Sequence, residues 1–394
     1  MRLILLIFCF FPYVGFGILT VDTQPWALMF SILILLITGL KNKIKLPKFY
    51  IFYLVSFLCA LSYLFYELIL GNDNFAYGLT SLSYYLSTPL IALAVYNVGI
   101  PENFERIFIK IYIIWLVFAI IQLFIPGINE FLVNSVRTSE ARGLTSLAPE
   151  PVWYGRIVLI FLFISFYLKE HNSISKKWFN SIFCLSIFQI VVLSNSGTIF
   201  FYLSIVLLFY IFFILKNLKT KIIVASTFVI FGSLAIIYGL NNYADKRLFS
   251  LIDIAMVNPE KLSEYGGFNM RVMNAPLAIK LGIFDNNGLG TGLISLKSNT
   301  ISTFKVFSND IVKNDSGGIN GGYVFLIYQI GLFAFFWIFG ILKAINYNKN
   351  NSKNLRLFIS FSILLILFFE SSLSNPLSAF LIGLMMLGSD KKLH

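Results

Sequence analysis

Apolar runs approaching the roughly 20 residues that a helix needs to cross a hydrocarbon core recur from one end of the chain to the other. Short polar segments separate them. Main-chain groups in lipid must be satisfied within their own segment, so these runs are helices rather than strands. The pattern predicts an all-α, polytopic transmembrane protein of twelve spans, over 3–20, 25–40, 49–70, 79–99, 107–125, 153–168, 179–194, 198–215, 222–239, 322–342, 356–370 and 374–389. Residues 1–394 form one integral membrane domain, interrupted by two long loops, 126–152 and 240–321. The second is the only segment large enough for an extramembrane subdomain.

Composition supports this reading. The 394 residues are 58% hydrophobic and 12% charged, whereas soluble domains are nearer half apolar and a quarter charged. The formal charge of +12 does not point to nucleic acid, because the lysines flank apolar runs and serve topology. Cys9, Cys59 and Cys184 all lie inside apolar runs, where they form neither a disulfide framework nor a metal site. Val14-Gly15-Phe16-Gly17 is a weak cleavage signal, so the first run reads as an uncleaved anchor.

The positive residues set the orientation. With both termini inside, every short inner loop carries Lys or Arg, as in Lys41, Lys43, Lys45 and Lys48. The four short outer loops, around Asp22, Asp73, Ser196 and Ser374, carry none. The positive-inside rule then places both termini in the cytoplasm.

Arginine does not follow the lysines. Five of the eight arginines, Arg137, Arg142, Arg156, Arg247 and Arg271, lie on or just below the outer surface. Only six of the 22 lysines are outside. Topology does not distinguish the two residues, but a planar guanidinium fork binds phosphate or carboxylate oxygens in a bidentate way that ammonium does not. The plainer explanation is pairing with Glu130, Glu140 or Asp245. The first long loop ends in Arg142-Gly143-Leu144-Thr145-Ser146-Leu147-Ala148-Pro149-Glu150-Pro151. Glu150 therefore heads a helix at the membrane boundary, either as a general base or as a purely structural helix charge. Arg156, more than a turn deeper, faces a wet cavity or snorkels outward. In the second loop, 268–284 reads as a helical or interfacial stretch limited by Pro276. Arg271 precedes Gly282 in an R-x10-G spacing, and Gly288 and Gly290 follow in a flexible Gly-rich exit. This exit lacks the third glycine, preceding strand and cytosolic location of a nucleotide loop. Glu67 reads as a boundary residue that snorkels.

The two histidines, His171 in an inner loop and His394 at the end, leave none for the outer face, and no acidic pair marks a metal site. Outer-face chemistry is expected to need no metal and no cofactor.

With Arg142-Gly143 and Glu150-Pro151 entering a span, Arg271-x10-Gly282 in a large late loop, and Gly321-Gly322-Tyr323 leading to Gln329-Ile330-Gly331-Leu332, the chain resembles the Wzy-type O-antigen polymerases of bacterial inner membranes, related to the O-antigen ligases. The resemblance covers most of the chain. It implies a GT-C-like fold, periplasmic loops, and transfer of a growing glycan from undecaprenyl diphosphate onto the next lipid-linked repeat unit. The implied partners are that lipid-linked glycan, membrane lipid, a chain-length regulator and a flippase. The resemblance also implies that Arg142 and Arg271 bind the diphosphate, supported by Arg156 and Arg137, while Glu150 activates the acceptor hydroxyl. R-x10-G fails in the first loop, where Ala148 follows Arg137 and Trp153 follows Arg142 at that spacing. Ligases carry a His-Asn step in the late loop. Here Ile319-Asn320 stands instead, which favours the polymerase. A flippase or transporter of similar span number would show repeat symmetry and ionisable groups at mid-membrane depth, whereas here no repeat is seen, mid-span charges are nearly absent and polar residues concentrate in two outer loops.

Overall fold

A computed structural model describes residues 1–15, 22–41, 43–71, 75–134, 136–138, 143–215, 217–242, 247–258, 274–293, 322–369 and 374–388. Among these the chain is all-helical, with no strand and one isolated antiparallel bridge, Val14 to Val133. In order the helices are α1 (Arg2–Phe10), α2 (Trp26–Leu40), α3 (Tyr50–Ile69), α4 (Phe75–Val98), α5 (Phe104–Phe124) and α6 (Pro151–Glu170). Next come α7 (Lys176–Phe188) and α8 (Gly197–Phe209), which run on as the π-helical stretches Gln189–Ser194 and Tyr210–Ile214. After α9 (Leu218–Asn242) and α10 (Arg247–Val257), α11 (Asn274–Ile279) continues as a π-helical turn, Lys280–Asp285. The chain closes with α12 (Gly322–Ile330), α13 (Ala334–Ile345), α14 (Lys353–Phe369) and α15 (Pro376–Leu387).

Among the described residues seven helices are long and apolar enough to cross a membrane: α3 to α8 and the α12–α13 pair, the last two of the six counted with their π-helical ends. Helices α2 and α15 are apolar but shorter. This is the make-up of a membrane protein. Three expected spans look different in the structure. α1 stops at Phe10 after nine residues, because Phe11 precedes Pro12 and is biased out of the helical region. At about 14 Å it is half a bilayer core in length. α15 is 12 residues and about 18 Å long. The run 322–342 is broken at Gly331, whose φ is +57°. α10, inside the second long loop, was not foreseen.

Position in the bundle follows from how apolar each helix is around its circumference. α6 has no polar stripe, and nearly all of its apolar stretch is buried inside the protein. α15, every residue of which is buried, also lies at the centre and packs along α4. Peripheral α3 buries under a third of its residues. Its outer face shows Leu54, Leu58 and Phe65, while α5 shows Ile120 and Leu123. Exposed apolar rows of this extent need lipid as solvent.

Part of the second long loop enters the bundle. α11 starts at Asn274, three residues before Leu277, so Pro276 falls in the first turn, where a missing N–H is harmless. The turn after it docks against the break between α12 and α13. Thr291 and Gly292 donate backbone N–H to the carbonyls of Tyr328 (2.8 Å) and Gln329 (3.0 Å), and Leu332 N–H reaches Gly288 O at 2.8 Å. Glu67 does not snorkel. It is 6% exposed and accepts the Leu293 N–H at 3.1 Å. The Tyr63 hydroxyl donates to Leu289 O, and Tyr85 donates to Gln329 Oε1 at 3.0 Å. Gly282, Gly288 and Gly290 thus serve close approach rather than looseness. A Cβ on Gly282 would sit 2.2 Å from Ile327 O, and one on Gly290, whose φ is +86°, 2.4 Å from Gln329 O. Gly290→Ala is expected to cost at least about 2 kcal/mol, from a disfavoured φ plus a backbone clash. Thermal unfolding in detergent checks this, and an unchanged midpoint would contradict the docking.

Candidate functional site

The first long loop also folds inward. Gly143 lies so close to α7's π-helical exit that a Cβ would meet Ser194 O at 2.0 Å, and Leu144 N–H donates to Leu193 O at 2.7 Å. Residues 145–149 are buried, so their main-chain groups need partners inside the protein. Gln122 Oε1 accepts the N–H groups of Thr145 (3.0 Å) and Ser146 (2.9 Å). Asn129 Nδ2 donates to Thr145 Oγ1 (2.7 Å) and Ser146 O (2.8 Å). Ser146 takes φ +51° and donates its hydroxyl to Trp115 O at 2.7 Å. This framework carries the chain to Pro149-Glu150-Pro151, where α6 begins with proline at its first position.

At the head of α6 three of the expected site residues meet. Glu150 occupies the N-cap position without capping through its side chain. Its Oε1 instead accepts Arg137 Nε–H at 2.8 Å, and Arg137 Nη2 holds Asp22 Oδ2 at 2.7 Å. Burial lowers the Arg137 pKa, but the hydrogen bonds and charges of Asp22 and Glu150 outweigh it and raise the net value. The Arg137 guanidinium lies 5.8 Å from the centre of the Trp153 ring, and that of Arg156 lies 5.6 Å from it. Arg156 is 2% exposed and interacts with the Tyr13 hydroxyl, whose ring rests on Trp153 at 5.1 Å. Two guanidiniums thus share one indole beside a helix N-terminus, and Arg137 is balanced there by Glu150 and Asp22. Asp22 lies within electrostatic reach of Tyr84, whose ring meets Phe325 of α12 at 6.4 Å. The cluster therefore borders the helix against which the glycine turn docks.

Arg142 and Arg271 lie outside the described residues, next to Gly143 and three residues before α11. Tyr13, Trp153, Gln122 and Asn129 were missed in the sequence, and Asp22 and Glu67 stood there only as a loop marker and a boundary residue. Only Trp153 had a local signal there, standing three residues before Arg156 on one helix face. Among the described residues no group of three His, Cys, Asp or Glu side chains is arranged to hold a metal ion. The class defined so far is an all-helical protein of membrane-spanning composition with a guanidinium–indole cluster at the end where α6 starts. A scan against protein-family models finds no match, and a search of curated proteins finds no relative.

Two variants separate framework from surface. Gln122→Leu strips two buried N–H groups of their acceptor and is expected to cost about 2–4 kcal/mol. Arg137→Ala removes ion pairs in which both partners are a quarter to a half exposed, and is expected to cost about 1 kcal/mol or less. Equal losses in denaturant unfolding would contradict this division.

Proposed function

We propose that this protein is a polysaccharide polymerase of the bacterial inner membrane. It moves a growing glycan from undecaprenyl diphosphate onto the next lipid-linked repeat unit at the periplasmic face. In this reading twelve apolar segments lie in the bilayer, the helix of the first reaching only part of the way, both termini are cytoplasmic, the fold is GT-C-like, and the head of α6 faces the periplasm. The observation that supports it most is the pair of guanidiniums, Arg137 and Arg156, gathered on Trp153 where α6 begins. A departing diphosphate develops negative charge, and preorganised cationic donors in a dry setting stabilise that charge. The exposed apolar faces of α3 and α5 suit a polyprenyl tail.

The reaction balances without a cofactor. The acceptor hydroxyl oxygen bonds to the anomeric carbon of the donor. The bond from that carbon to the diphosphate oxygen breaks, and its electron pair leaves with the diphosphate. Arg142 and Arg271, by resemblance, take the diphosphate with Arg156 and Arg137 behind them. Glu150 takes the proton. Its Oε1 is occupied by Arg137, so Oε2 is the accepting atom. Chain length and substrate supply would come from a regulator and a flippase. A flippase reading of this chain itself would look to the helix break at Gly331 as an ion site. The carbonyls of Tyr328 and Gln329 next to that break are already taken by Thr291 and Gly292.

Purified protein given a synthetic lipid-diphosphate oligosaccharide should produce a ladder of polymers without added metal. Arg271→Ala should abolish the ladder, and Arg271→Lys should restore it poorly because the fork is lost. Normal ladders from both variants would remove Arg271 from the diphosphate site. An inactive wild type, together with cells lacking any outer-leaflet repeat when the gene is deleted, would point to a flippase.

A further inference from the structure

α15 starts as α6 does, with a polar cap before proline: Asn375-Pro376 against Glu150-Pro151. Three contacts set the two helices side by side. The Tyr167 hydroxyl near the end of α6 reaches Gly388 O just past the end of α15, at 3.3 Å. Phe10 of α1 touches Phe161 of α6 (5.7 Å between centroids) and Phe380 of α15 (5.1 Å). α6 and α15 are therefore parallel and close. Arg156 and Leu377 each stand eleven residues before the Tyr167–Gly388 contact, which is about 16 Å of rise and three turns plus about 20°. Arg156 thus lies at the depth of the first turn of α15, close to the α6 face on which Tyr167 reaches α15. Tyr13, beyond Phe10 on the chain, meets Trp153 and Arg156 at this level.

The head of α15 carries donors that its own capping does not use. Asn375 Oδ1 accepts the N–H groups of Leu377 (3.0 Å) and Ser378 (3.3 Å), so the amide lies across the helix start. That leaves Asn375 Nδ2 and Ser378 Oγ without hydrogen-bond partners among the described residues, although both side chains belong to residues 3% exposed. Buried donors in native proteins find an acceptor. The two unpartnered donors, an amide NH2 and a hydroxyl, lie at the positive end of a helix and at the depth of a buried guanidinium, and in that setting an anionic acceptor is favoured.

We propose that Arg156, Asn375 and Ser378 bind one phosphoryl group between the heads of α6 and α15. Donors from two helices and three side chains suit a tetrahedral oxyanion better than the two oxygens of a carboxylate. This deepens the polymerase reading by adding a phosphoryl subsite on the last helix, outside both long loops. It rests on that reading only for the lipid that carries the phosphate.

The test is binding in phosphatidylcholine nanodiscs, with farnesyl monophosphate, farnesol and inorganic phosphate as probes. Asn375→Asp keeps the oxygen that caps α15 but turns the free donor into an anionic acceptor. It is expected to leave the unfolding temperature unchanged and weaken farnesyl monophosphate at least 30-fold. Asn375→Ser, which also caps, and Ser378→Ala should each weaken it severalfold, so one unstable variant does not remove the test. Farnesol should not bind. Binding of inorganic phosphate as well would show that the phosphoryl group suffices, and its failure would assign the site to a lipid phosphate. Either result supports the proposal. Wild-type affinity in all three variants, binding of farnesol equal to its phosphate, or no binding of farnesyl monophosphate by wild type would overturn it. A protein that binds the phosphate but forms no polymer ladder would contradict the polymerase reading alone.

Discussion

Every departure from helix inside this bundle depends on finding hydrogen-bond partners for the main chain away from water. An apolar surround gives freed N–H and C=O groups nothing to bond, so each non-helical stretch exists only where the protein supplies partners. Two such stretches shape the molecule. Residues 143–149 are carried by Gln122 and Asn129, and residues 288–293 by Glu67 and the open carbonyls of Tyr328 and Gln329. In both places a polar side chain on a neighbouring helix acts as the missing strand of a ladder. The buried Gln, Asn and Glu residues are therefore positioning groups for the two long loops.

This constraint also explains what was legible in the sequence. Helix positions were readable because hydropathy is a local property, and each expected segment contains a helix in the structure. The early stop of α1 was readable in principle from Phe11-Pro12. The inward docking of the loops was not, because it is decided by pairs far apart in sequence: Glu67 with Leu293, and Tyr85 with Gln329. Glu67 looked like an ordinary boundary carboxylate until its partner was seen. The Gly-rich run was read as flexible turn chemistry, although its glycines are there because backbone meets backbone. Within the site, the arginine pattern pointed only to the outer face; Glu150, Arg137 and Arg156 gather at the head of α6, while Arg142 and Arg271, the leading pair in the sequence, lie outside the described residues. The pairing of Arg137 with both Asp22 and Glu150 was hidden, since Asp22 lies in another loop.

The cluster at the head of α6 combines charges of different standing. Arg137 is half-exposed and balanced by two carboxylates, so it organises the loop ends. Arg156 is buried against Trp153 and Tyr13, on one of the enclosed helices of the bundle. Keeping a guanidinium at such a position is costly unless it serves an anion or a fixed polar network. Tyr13 and Trp153 supply part of such a network, and the phosphoryl group proposed at the head of α15 would add to it.

The most direct test of this account is where a lipid-diphosphate glycan touches the protein. A photoreactive residue in place of Val152, beside Trp153, should capture a radiolabelled lipid-diphosphate oligosaccharide, and excess polyprenyl diphosphate should suppress the capture. The same residue in place of exposed Trp178, near the opposite end of α6, should not label. Equal labelling at both positions, or labelling at 152 that polyprenyl diphosphate does not suppress, would contradict it.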